Sequence, residues 1–155
     1  MVYNPSYDVA VCPGVVDGNY VSRGSDEGAT FAQDGRVSTD GRNSLRLSNP
    51  AAGVGVSLSP YTIPALDGKS EFKFSVNLKG AVGGEEVTFS FTDTIFDVDG
   101  AQVVEIAEGG EWQTFSITLT TVEEPFCPYG CRSWLSYFLS SAGTVWLDEL
   151  SLVAA

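Results

Sequence analysis

Carboxylates are the reactive groups this sequence has in quantity: 20 Asp and Glu stand against 8 Lys and Arg, and there is no histidine. Without imidazole there is no Ser-His-Asp or Cys-His nucleophile, no His-ligated zinc and no histidine proton shuttle. Two carboxylates could still cleave a glycosidic bond, but they would have to face each other about 5–9.5 Å apart across a cleft. The conspicuous acidic pairs, Glu85-Glu86, Glu123-Glu124 and Asp148-Glu149, are adjacent in the chain. Neighbours on a strand point to opposite faces, so these pairs do not converge. The residue set speaks for recognition and not for an enzyme.

Two further motifs fall short of chemistry. Asp97-Val98-Asp99-Gly100 has the acidic rhythm of a calcium loop, yet Ile95 and Ile106 occupy its first and twelfth positions, so it reads as a hairpin turn. Cys127-Pro128-Tyr129-Gly130-Cys131 is spaced for a small disulfide-closed loop, while Cys12 could equally pair with either partner. Two thiols without a further Cys or a His do not complete a zinc site.

The formal net charge of −12 excludes the basic footprint that nucleic acid and anionic membrane surfaces require, and it disfavours polyanionic sugars. No apolar run approaches the roughly 20 residues of a membrane span. Polar residues follow Met1 where a signal peptide would be basic and then apolar, and the acidic, Ser/Thr/Gly-rich composition with three cysteines suggests a secreted, extracellular setting.

The elements that must position these residues are strands. In Glu71–Lys79, Phe72, Phe74, Val76 and Leu78 alternate with polar residues, and Val87–Thr92 and Phe115–Thr120 repeat the period of two. Leu45 and Leu47 alternate in the same way with Ser44, Arg46 and Ser48. Asp67-Gly68, Gly83-Gly84, Asp99-Gly100, Gly109-Gly110 and Ala142-Gly143 supply reversals between the runs. Eight or nine short strands, each apolar on one face, must stack as two antiparallel sheets. The expected fold is all-β, a single β-sandwich over residues 1–155.

Several segments carry a resemblance. Asn4-Pro5-Ser6-Tyr7-Asp8 resembles an "NPGFE" opening, with Ser6 and Asp8 departing from the usual Gly and Glu. Gly41–Leu47 resembles an "SGxxSLRL" turn and strand, Glu111–Phe115 an "EWQRF" strand start, and Gly143–Leu152 a "GTVYIDDVSL" closing strand. Together and in this order they resemble the jelly-roll carbohydrate-binding modules of families four, nine, sixteen and twenty-two, galactose-binding-like sandwiches fused to secreted glycoside hydrolases. The resemblance implies non-catalytic binding of a neutral polysaccharide of the β-glucan or xylan class. The competing reading is a structural jelly-roll subunit of a virion or extracellular assembly, because fold alone does not fix function.

Binding in such modules stacks pyranose faces on aromatic rings and adds amides and carboxylates. In Ser133–Leu139 both faces are apolar: with Leu135, Tyr137 and Leu139 inward, Trp134 and Phe138 face outward. Tyr20 falls where relatives place a stacking aromatic, Tyr61 and Tyr129 lie in Pro-flanked loops, and Asn77 is a polar partner on a strand's solvent side. Trp112 reads as a sheet-edge residue and Trp146, between two apolar neighbours, as buried. The resemblance further implies a structural calcium ion held by Asp8, the turn Asp40 to Asn43 with the Arg42 carbonyl, and Asp148. Asp8 is one methylene shorter than the usual Glu.

Overall fold

A computed structural model of the chain describes residues 10–12, 15–16, 19–23, 30–40, 42–51, 56–60, 71–91, 101–121 and 135–155. Among them there is no helix. The strands are β1 (Ala10–Cys12), β2 (Val15–Val16), β3 (Asn19–Arg23), β4 (Thr30–Asp34), β5 (Ser44–Asn49), β6 (Val56–Pro60), β7 (Glu71–Gly80), β8 (Glu86–Phe91), β9 (Ala101–Glu105), β10 (Gln113–Thr120), β11 (Leu135–Leu139) and β12 (Gly143–Ala154). This exceeds the eight or nine anticipated, because short pieces such as β1 and β2 carry too little alternation to register in the sequence.

Apart from a β1–β2 ribbon, the strands form two five-stranded antiparallel sheets. Sheet I runs β10-β7-β12-β5-β4 and sheet II runs β3-β6-β11-β8-β9. Strands far apart in the chain lie side by side, as in a jelly roll: β12 pairs with β5 and β7, and β11 with β6 and β8.

Alternation decides what fills the space between the sheets. Phe72, Phe74, Val76 and Leu78 of β7 are buried, as are Leu45, Leu47, Leu119, Val145 and Leu147 from the other strands of sheet I. Sheet II contributes Val87, Phe89, Phe91, Tyr137 and Leu139. Phe74 meets Phe91 edge-on at 5.2 Å between ring centroids, and Phe89 stacks on Phe115 at 5.4 Å, so aromatic pairs tie the two sheets together. Buried Asn49 adds a polar tie, its amide donating to the Ser141 carbonyl at 3.1 Å.

The β7–β8 turn is closed by Glu85. Its carboxylate accepts the backbone N–H groups of Ala81 (2.9 Å), Val82 (3.0 Å) and Gly83 (2.8 Å). Gly83 has φ 104°, and a Cβ there would come within 2.5 Å of Glu108 Cα, so only glycine fits. A Cβ on Gly143 would come within 2.7 Å of Glu85 Cγ, which makes the start of β12 part of the same enclosure.

β12 is irregular. Its pairing with β7 shifts register between Asp148 and Ser151, and within that bulge Glu149 takes φ 49°. The extra residue lets buried Asp148 on the outer side and Leu150 in the core both find their places.

Candidate functional site

Register across sheet II sorts its residues by face. One row reads Val21, Leu58, Tyr137, Phe89, Gln102 across the five strands. Tyr137 and Phe89 are fully buried, so on β11 and β8 these positions face the core. The next row along β11 faces outward: Phe138 stands opposite Thr88, and Thr88 opposite Val103. The row on the other side holds Ser136 opposite Ser90 and Ser90 opposite Ala101, and at the far edge Tyr20 opposite Ser59. Phe138 and Tyr20 therefore occupy positions of the same parity on one sheet. With Tyr137 and Leu139 in the core, half-buried Phe138 does lie on the outer side of the central strand.

Around Phe138 the outer positions are Thr88, itself buried, half-buried Ser90 and Ser140, and exposed Val103. Thr88 donates to Ser140 Oγ at 3.2 Å, and that hydroxyl donates to the Glu86 carbonyl at 2.9 Å. Val103 is 60% exposed in the same row as Phe138. An aromatic ring beside short hydroxyls on a rigid sheet can stack one flat apolar face and hydrogen-bond its edge. Trp134, Tyr61 and Tyr129 lie outside the described residues, as do Cys127 and Cys131.

Asn77 does not join this group. It stands on the outer face of sheet I, opposite Asp148 and Thr114. Its amide donates to Glu149 Oε2 at 2.6 Å, and its oxygen accepts the Thr114 hydroxyl at 2.7 Å. Which sheet a polar strand face belongs to depends on pairing, and alternation does not encode pairing.

Trp146 corrects an expectation. It is half-buried on the outer face of sheet I, between core residues Val145 and Leu147, and is not itself in the core. Its indole N–H donates to Asp34 Oδ2 at 3.1 Å. That bond, then the Arg36 backbone N–H and the charges of Arg46 and Arg36, hold the Asp34 carboxyl below its ordinary value against the opposing effect of burial. Arg46 lies 3.9 Å from the same oxygen with its side chain 44% exposed, in keeping with a surface charge.

The β4–β5 loop closes over β12 at Asp148. Thr39 donates to Asp148 Oδ2 from its backbone N–H (2.8 Å) and its hydroxyl (2.7 Å), and the Glu149 N–H donates to Oδ1 at 2.8 Å. Asp148 is fully buried, and no Lys or Arg among the described residues pairs with it. A buried carboxylate facing only neutral donors suits a nearby cation. Asp40 is turned to its own loop, accepting the Arg42 N–H at 2.9 Å with the guanidinium 3.9 Å away. Among the described residues no three acidic, Cys or His side chains gather into a metal site, and Asp8 lies outside them. The described residues thus supply one fitting ligand of the expected set.

Glu85 and Glu86 separate as adjacency predicts, whereas Asp148 and Glu149 both lie on the outer side of sheet I because the bulge breaks the alternation there, and Glu123-Glu124 lies outside the described residues. Glu85 and Asp148 are buried against N–H donors, while Glu86 and Glu149 are exposed.

No protein-family model matches the chain, and no curated protein matches it. Solved structures do share its fold. One is the enzymatically active domain of tailspike protein 4 of bacteriophage CBA120, with TM-score 0.71 and 16% identity over 99% of this chain. The chain spans only 21% of that protein's length. A second is TmCBM61, a carbohydrate-binding module solved with β-1,4-galactotriose, with TM-score 0.69 and 16% identity over 99% of this chain and 97% of that one. A third is a cyclase from Fischerella sp. TAU bound to an indolyl butanone, with TM-score 0.67 and 12% identity over 100% of this chain and 96% of that one. Carbohydrate-binding modules of families 4 and 30 have the same jelly roll. At these identities the likeness establishes the fold: an all-β sandwich of two antiparallel sheets.

Proposed function

We propose that the chain is a non-catalytic carbohydrate-binding module that holds a neutral polysaccharide of the β-glucan or xylan class on the outer face of sheet II, for an attached secreted enzyme. The observation that carries this reading is Phe138, outward on the central strand with Thr88 and Val103 in its row. The family-four-type sequence resemblance and the likeness to modules of families 4, 30 and 61 support it. Burying a ring against a pyranose supplies most of the gain, and ordering a flexible chain opposes it, so binding is weak to moderate.

Native electrophoresis through gels containing single polysaccharides tests this. Retardation by a β-glucan or xylan, clearly weakened on Phe138→Ala with the fold intact, is the expected result. Uniform mobility across the panel would shift the reading to a structural jelly-roll subunit, which the likeness to part of a tailspike favours.

A structural calcium ion belongs to the same reading, with Asp148 as its buried ligand and Asp8, Asp40 and the Arg42 carbonyl completing the set. When bound, the ion would neutralise Asp148 and tie the β4–β5 loop to β12. An extracellular setting and one disulfide among Cys12, Cys127 and Cys131 complete the proposal. Thiol titration of the denatured, unreduced protein should then find one free thiol and not three.

A further inference from the structure

We propose that the outer face of sheet I carries a second saccharide site, built on Trp146, Asn77 and Glu149 and separate from the face that holds Phe138. Trp146 stands on the central strand of sheet I, opposite Arg46 on β5 and Lys79 on β7. Its bond to Asp34 fixes the ring by one edge at no expense to a ligand. One row further along, Asn77 lies between Thr114 and β12, joined to Glu149. Asn77 stands on β7, to one side of β12, and the Trp146 indole reaches Asp34 on β4, to the other, so ring and amide would meet successive sugars of a chain lying across the strands.

Glu149 is the informative residue. It is a non-glycine residue held in the left-handed region, and it is exposed. Glycine would make this bulge without strain, and strain of this kind clusters where a side chain is needed in place. What the strained backbone delivers here is a carboxylate laid against the Asn77 amide at the surface. A saccharide hydroxyl could donate to that carboxylate and a second accept from the amide.

Charge and polarity narrow the ligand class. Arg46 and Lys79 offset two of the three carboxylates here, Asp34, Glu149 and buried Asp148, so this patch is only slightly acidic on a chain of net −12. An anionic polymer gains nothing there and is repelled by the whole. Of the large hydrophobic side chains that are exposed among the described residues, only Val153 belongs to this face, so the apolar centre of a protein interface is lacking. A flat ring edged by an amide, a carboxylate and hydroxyls suits a neutral pyranose. Sites on both outer faces would let one domain bridge two chains.

The test uses the Phe138→Ala protein in gels containing soluble β-glucan, xylan or β-1,4-galactan. Residual retardation by at least one of them is expected, and adding Glu149→Gly or Asn77→Ala should weaken it about tenfold. Glu149→Gly should melt no lower than its parent, because it removes strain, so its loss of binding would not be a loss of folding. The inference is overturned if Phe138→Ala alone abolishes retardation while folded, if neither sheet I substitution changes what remains, or if the wild type binds none of the three. Retardation insensitive to Phe138→Ala but removed by the sheet I substitutions would sink the sheet II reading and leave this one standing.

Discussion

Glu85 and Asp148 are both buried carboxylates that accept three hydrogen bonds, and they are satisfied in opposite ways. Glu85 draws all three donors from Ala81, Val82 and Gly83, within four residues of itself. The turn forms a nest of N–H groups and supplies its own anion. Asp148 takes two of its donors from Thr39, 109 positions away in sequence, and the third from the strained residue that follows it. One charge is settled within the local turn that carries the chain from sheet I to sheet II. The other is settled only when a distant loop closes, and Oδ1 keeps acceptor capacity beyond its single bond. Sensitivity to ligands and ions belongs with the second kind of site.

The comparison can be broken at several points. Glu85→Ala should have the largest effect, about 4 kcal/mol, because three N–H groups are left without acceptors inside an enclosed turn. Urea unfolding with an unchanged m-value would measure it. Asp148→Ala should cost about 3 kcal/mol by the same method, and an effect larger than that of Glu85→Ala would reverse the ranking. Chelation with EGTA should lower the melting temperature of the wild type, by the equivalent of about 2.7 kcal/mol if the ion was present at a hundredfold excess over its Kd. The Glu85 variant should keep that shift and the Asp148 variant should lose it; equal shifts in both would detach calcium from Asp148.

Trp146→Phe should cost about 1 kcal/mol, by removing the indole donor to Asp34 while keeping a ring. The smallest effect is its pH dependence. Asp34 has a folded pKa below its ordinary 3.8, so its contribution is full above that value and is lost as pH falls through the folded pKa. Acid unfolding of Trp146→Phe should show a shallower loss in that window, and an unchanged slope would assign the depression to other groups.

What was legible in the sequence follows physical range. Alternation in β7 placed Phe72, Phe74, Val76 and Leu78 correctly because a half-buried strand writes its own pattern. The glycines at 83, 109 and 143 announced positive φ by their type. Alternation within β11 left two choices, because both its faces are apolar, and burial of Tyr137 and Leu139 is what puts Phe138 outward. Parity in β12 puts Trp146 outward beside core Val145 and Leu147, but its apolar neighbours mask that parity in the sequence, and nothing local marks Asp34 as the partner of its indole N–H. Asn77 was readable as outward but not as belonging to sheet I. The resemblance brought the turn after Thr39 to Asp148, but no local pattern marks Thr39 itself as the partner, and the Glu85 nest depends on backbone angles that composition does not specify.

β12 has one more consequence. It runs down the centre of sheet I, bonded to β7 from Val145 to Ala154 and to β5 from Gly143 to Leu147, with the Ala155 N–H still donating to the Glu71 carbonyl. Its hydrogen bonds lie across the strand axis. Tension applied at Ala155 along that axis would load those rungs in shear, many at once and on both sides, where a peripheral strand peeled from its end would give way rung by rung. Sheet I is therefore a mechanical clamp at this end, resisting a pull on β12 as one unit.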